Sequence, residues 1–113
     1  MKKLIVLDLD GTTLRDDKTV SENTINTLLD VRNRGDTILF ATARPPRDAY
    51  KYVPEPLRNN PIICYNGAAI VASNNLEVIY EKQIEKNDVL KILDICESYG
   101  YNQLSIEVND TSK

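Results

Sequence analysis

Four apolar residues in a row, Leu4-Ile5-Val6-Leu7, run into two acids spaced one residue apart, Asp8 and Asp10, and then at once into Gly11. A run this apolar predicts a strand buried on both faces rather than a half-exposed edge. In an extended chain, positions i and i+2 point to the same side, so both carboxylates are expected to face one small volume. Two like charges held together away from water are costly unless a cation or a donor network neutralises them. Paired acids at the carboxyl end of a buried strand therefore point to a metal-assisted reaction centre.

After the acids, residues 15–20 are polar and loop-like. Ser21 offers a helix N-cap, Glu22 suits the helix dipole, and Ile25, Leu28 and Leu29 form an apolar stripe at helical spacing. Gly35 supplies a stop. Residues 37–42 read as a second buried strand, which completes a βαβ unit with parallel strands and a right-handed crossover. A short helix holding Tyr50 and Val53, ended by Pro54 and Pro56, leads to a third strand at 61–65 closed by Asn66-Gly67. There the pattern changes. Residues 68–81 read as a β-hairpin with its tip at Ser73-Asn74-Asn75, and Asn87 or Asp88 can cap a helix carrying Val89, Leu90, Ile92, Leu93 and Cys96. Leu104, Ile106 and Val108 alternate with polar residues, as in a strand with one wet face. The predicted fold is α/β: a Rossmann-like parallel sheet over residues 1–66, then the start of an α+β unit over 67–113.

The 113 residues suffice for one small domain, and the net charge of −3 comes from interspersed acids and bases. No basic stripe points to nucleic acid, and no apolar run approaches the ~20 residues that span a bilayer. Met1-Lys2-Lys3 resembles the start of a signal peptide only superficially, because Asp8 interrupts the short apolar part. Cys64 and Cys96 lie in apolar patterns far apart, which predicts two buried, reduced thiols and a cytoplasmic location. Histidine is absent, so His-based triads and His-rich zinc sites drop out together. Acid–base chemistry then falls to carboxylates, Lys, Tyr or water.

Thr42 closes the second strand, and Ala43-Arg44-Pro45-Pro46 leads into the next helix. Parallel strands bring their carboxyl ends to one rim, where ligands bind in open α/β folds. A hydroxyl there, followed by backbone N–H groups at a helix start, makes a cradle for phosphate oxygens. Proline at the first helical positions costs little.

Asp8-Leu9-Asp10-Gly11-Thr12, directly after an apolar first strand, resembles the phosphatase signature of the haloacid dehalogenase (HAD) superfamily. Thr42 and Arg44 resemble its second motif, a Ser or Thr closing the second strand and often followed by Gly-Arg; Ala43 stands where Gly is usual. Asn66-Gly67-Ala68 is similar to the turn of the branch whose large α/β cap is inserted after the third strand (Cof-like, type IIB), although Asn-Gly is also a common turn pair. By this resemblance, residues 1–66 are the first half of a HAD-like core and 67–113 part of the cap.

The resemblance implies a Mg²⁺-dependent phosphatase for a small phosphorylated metabolite. Asp8 would attack phosphorus to form an aspartyl-phosphate, and Asp10 would protonate the leaving oxygen and then activate water. Mg²⁺ would sit between Asp8, the backbone carbonyl of Asp10 and the phosphate. Gly11, Thr12, Thr42 and Ala43 would meet the phosphate, with Arg44 and Asn66 toward the substrate. Two family parts are not found: a Lys that neutralises the phosphate, and a later acidic motif that completes the metal shell. Gly35-Asp36 falls at the wrong end of the sheet, Asp110 follows the presumed cap strand, and Lys82, Lys86 and Lys91 fall in the cap-like stretch. The chain is thus expected to be the N-terminal half of a larger hydrolase, weak or inactive alone. Its first strand would have an open edge for the missing half or another copy to pair with. The same motifs serve a phosphotransferase or phosphomutase, and a non-catalytic phospho-aspartate or metal-binding remnant is an alternative of another class.

Overall fold

The computed structural model describes residues 1–108. Its strands are β1 (Leu4–Asp8), β2 (Thr37–Ala41), β3 (Ile62–Cys64), β4 (Ala69–Val71) and β5 (Val78–Glu81), and its helices are α1 (Glu22–Asn33), α2 (Pro46–Tyr52) and α3 (Lys86–Ser98). Ser21 begins α1 as its residue type favours: the hydroxyl accepts the backbone N–H of Thr24 at 3.1 Å, satisfying one of the donors a helix start leaves open. Gly35, at φ +100°, ends the same helix by turning the chain left-handed. The next helix, α2, starts from Pro45 and Pro46, which need no N–H there. No helix among the described residues is long and apolar enough to cross a membrane.

The five strands form one sheet in the order β1-β2-β3-β4-β5. The first three are parallel, and β4 and β5 add an antiparallel hairpin on the β3 side. The two crossovers run in one direction, and α1 and α2 pack on the same face, as crossovers of one hand require. That face is the core: Ile38, Phe40, Ile62, Cys64 and Val71 pack with Leu9, Leu14, Ala49, Val53 and Leu57, and Leu28 and Leu29 of α1 close over them.

The expectation that β1 is buried on both faces fails. Leu4 and Val6 are 62% and 50% exposed. Both crossover helices lie on the other side, and β1 has only β2 beside it among the described residues, so nothing covers that face or edge.

The chain divides into two compact units, Met1–Glu81 and Lys82–Lys113. The sequence boundary near Gly67 therefore marks a different event. There the chain reverses and pairs antiparallel with β3, through Ile63 opposite Ile70, so the hairpin extends the first unit's sheet. In the second unit, α3 begins at Lys86 behind Glu85, without a side-chain cap from Asn87 or Asp88. Residues 101–108 alternate in hydropathy but belong to no strand, because alternation alone supplies no ladder for the backbone groups to join. Cys64 is fully buried, but Cys96 is only partly so, and neither forms a disulfide. Asp110 lies outside the described residues.

Candidate active site

Asp8 is the last residue of β1 and lies in register with Ala41, one residue before Thr42. Parallel pairing therefore brings the acid of the first strand and the hydroxyl of the second to the same rim. There they line a cleft of about 360 Å³ together with Ala41, Ala43, Ile63, Asn66 and Gly67. Four of the residues singled out in the sequence, Asp8, Thr42, Ala43 and Asn66, thus meet around one space. The Asp8 carboxylate has no hydrogen-bond or ion-pair partner among the described residues, which leaves its lone pairs open to a ligand. The Thr13 hydroxyl donates to the Asp8 carbonyl at 2.7 Å and ties the following loop back to the strand end.

That loop does not continue the extended chain. Asp10 (φ −67°, ψ 128°) and Gly11 (φ 74°, ψ 1°) have the dihedrals of a type II turn, and the Leu14 N–H closes on the Leu9 carbonyl at 2.9 Å. The i, i+2 rule consequently stops at Asp8, and the two carboxylates take separate surroundings. Gly11 is needed for its positive φ, and a Cβ there would meet nothing within 4 Å, so open space lies beside the turn. Thr12 is exposed in the same loop and does not line the cleft.

Asp10 is clamped. Arg44 donates through Nε to Oδ2 at 2.7 Å and through Nη2 to Oδ1 at 2.9 Å, a bidentate pair. Lys18 Nζ reaches Oδ1 from the other side at 3.1 Å. The Arg44 hydrogen bonds, foremost, and the Lys18 contact hold the Asp10 carboxyl well below the usual carboxylate range, although partial burial opposes them. Reciprocally, the bond to Asp10 raises the Arg44 guanidinium above its ordinary value. The guanidinium carbon also sits 4.3 Å from the centre of the Tyr52 ring.

Thr42 is nearly buried, and its Oγ1 accepts the Arg44 backbone N–H at 3.1 Å. The same segment is stitched to the third strand: Thr42 N–H donates to Ile63 O at 2.9 Å, and Asn66 N–H donates to Thr42 O at 3.0 Å. Asn66 adopts φ +55°, a left-handed conformation that asparagine tolerates, and this turn brings it onto the cleft wall. By contrast, Asp36 accepts the Lys3 N–H at 2.9 Å, beside the start of β1 and away from this rim.

Lys18 and Tyr52 were not anticipated from the sequence. Lys18 comes back to Asp10 because the loop after the acids folds on itself, which neither charge pattern nor periodicity encodes. Tyr52 reaches Arg44 from the far end of α2, a contact set by how the helix folds back over the segment before it.

No group of three acidic, His or Cys side chains among the described residues could hold a metal alone. The donors present are nonetheless hard oxygens, the open Asp8 carboxylate and the backbone carbonyl of Asp10. Mg²⁺ typically takes one or two carboxylates and completes its shell with water and substrate phosphate, so these residues fit part of a Mg²⁺ site. The Asp10 carboxylate is already held by Arg44 and Lys18, so its carbonyl would be the oxygen that this residue offers a metal.

A parallel α/β sheet with its polar groups gathered at the carboxyl rim defines a Rossmann-like core. The chain belongs to the haloacid dehalogenase-like hydrolases, whose family pattern matches residues 5–112. It is 36% identical over 108 residues to a 5-amino-6-(5-phospho-D-ribitylamino)uracil phosphatase of Bacillus subtilis, covering 95% of this chain and 40% of that protein. Among solved structures, a HAD-superfamily phosphatase of Bacteroides thetaiotaomicron matches with a TM-score of 0.77 at 29% identity, over 88% of this chain and 37% of that one. A HAD subclass IIB sugar phosphatase matches with a TM-score of 0.67 at 28% identity, over 88% and 38%. The chain spans about two fifths of the length of the relatives it matches.

Proposed function

We propose that the chain is the nucleophile-bearing part of a Mg²⁺-dependent phosphatase that hydrolyses a small phosphorylated metabolite through an aspartyl-phosphate. The observation that carries this reading is the cleft joining the unpartnered Asp8 carboxylate to Thr42 and Asn66 at the carboxyl ends of three adjacent strands. The phosphatases among its relatives support the reaction class.

In the first step an Asp8 oxygen forms a bond to phosphorus as the ester P–O bond breaks, and the departing oxygen takes a proton from Asp10. In the second step water attacks the acyl-phosphate, its proton passes to Asp10, and the Asp8 carboxylate returns. The Thr42 hydroxyl and the Ala43 backbone N–H would hold the equatorial oxygens. Gly11 leaves room for the phosphate beside the turn. Bound Mg²⁺ would supply charge neutralisation at the phosphoryl group. The clamp on Asp10 favours the carboxylate, which is the form the second step needs. The first step needs the acid, so an arriving phosphate must compete for the cations that now hold it.

The stretch after Asn66 we read as leading into a cap that selects the substrate, with α3 its first helix in the second unit. On this reading the chain alone is weak or inactive, and the open β1 edge pairs with the remainder of a longer protein or with a second copy. The test is Asp8→Asn in the full-length protein, assayed with 4-nitrophenyl phosphate and Mg²⁺. Turnover should fall at least about a thousandfold with the fold intact, as expected when a covalent nucleophile is removed. Near-normal turnover would remove Asp8 from that role.

A further inference from the structure

We propose that Lys18 is a substrate-binding residue that forms, with Arg44, a clamp for one oxygen of the phosphate group. The proposal rests on the reading of the rim as a phosphate site and adds to it a cation from outside the recognised motifs.

The geometry is already set. Lys18 Nζ and Arg44 Nη2 converge on a single atom, Asp10 Oδ1, at 3.1 Å and 2.9 Å. Two cationic donors that share one carboxylate oxygen can share one phosphate oxygen in the same way. An ammonium has three donors, and among the described residues Asp10 is the one partner of the Lys18 ammonium. Lys18, Arg44 and Asp10 together carry one surplus positive charge, which suits an incoming dianion.

The backbone of Lys18 gives a second, independent reason. Its φ of +66° is uncommon for a residue with a side chain. The conformation is enforced by a loop that closes on itself: Arg15 N–H donates to Thr19 O at 2.8 Å, and Lys18 N–H donates to Arg15 O at 2.8 Å. Asp17 Oδ1 accepts both the Thr19 N–H at 3.0 Å and the Thr19 hydroxyl at 2.6 Å. Lys18 is half exposed and outside the core, so packing offers no reason for the strain. Residues held in this way by their surroundings cluster at functional sites. Here its effect is to place an ammonium beside the acid turn.

The test is titration of inorganic phosphate into the full-length protein, followed by calorimetry. Lys18→Asn removes the ammonium but keeps a residue that accepts positive φ, and Lys18→Arg keeps the charge. We expect Lys18→Asn to bind phosphate about tenfold more weakly and Lys18→Arg to stay within about threefold. The salt dependence of binding should be shallower for Lys18→Asn. Circular dichroism checks the fold, and Lys18→Gly serves in its place if the Asn variant does not fold. Phosphate affinity unchanged by removal of the ammonium, or no phosphate binding even in the unaltered protein, overturns the clamp. Turnover surviving in Asp8→Asn would defeat the nucleophile reading instead, while the clamp is still judged by phosphate binding.

Discussion

Replacing Arg44 with Met tests how the rim holds its second acid. The substitution removes two hydrogen bonds to Asp10, at 2.7 Å and 2.9 Å, and a ring contact with Tyr52 at 4.3 Å. The Asp10 side chain is 39% exposed, so water and salt screen the pair, and its lowered pKa cannot be read at face value as stability. Discounted for that exposure, the bidentate pair contributes about 1 kcal/mol, and the ring contact about 0.5 kcal/mol more. A double-mutant cycle with Asp10→Asn in urea isolates the first part, and a coupling of about 1 kcal/mol is expected at pH 7. The pH dependence has a definite sign. Asp10 has a depressed folded pKa, so its contribution is fully present above the unfolded value near pH ~4 and declines as pH falls below it. The coupling should therefore hold down to about pH 4 and shrink progressively as the pH is lowered further. A coupling absent at pH 7, or one that persists undiminished in acid, would refute the clamp as drawn.

Gly11→Ala meets no atom within 4 Å, so its cost comes from the left-handed backbone alone, about 1 kcal/mol. A thermal melt should show a fall of about 4–8 °C, and a much larger fall would mean that the turn is packed against something. Thr42→Val keeps the shape but leaves the Arg44 backbone N–H without its acceptor, at a cost of about 1–3 kcal/mol, whereas Thr42→Ser should stay close to the unaltered protein. Equal urea midpoints for Val and Thr would show that this hydroxyl does not organise the rim.

The part of the fold that could be read from sequence is the part set by local rules. Ser21 and Gly35 bound α1 because a cap and a left-handed stop act within one turn of the chain. The pairing of Asp8 with the second rim followed from topology, since parallel strands leave their carboxyl ends side by side. What failed needed information from elsewhere in the chain. An apolar run cannot say how many of its faces find a cover, and β1 has one face bare because both crossovers run the same way. Near Gly67 the change of pattern accompanies a reversal within the sheet, which periodicity alone does not encode. At residues 101–108 the alternation is present and no strand forms.

The same reasoning explains how a chain covering two fifths of its relatives' length can still assemble a rim. Asp8 ends β1, Thr42 directly follows β2 and Asn66 lies two residues past β3, and backbone bonds link the last two segments across β2 and β3. Their relative placement depends on β1, β2 and β3 alone, so it needs neither the bare face nor the free edge to be covered. The charge balance at the rim is a different matter. With Asp8 unpaired and Asp10 bound by Arg44 and Lys18, two cations of the rim are tied to an internal anion. On the proposed reading, a phosphate dianion that recruits either cation must take over part of that pairing. Substrate binding and the release of Asp10 would then be one event, with the same nitrogen atoms serving both.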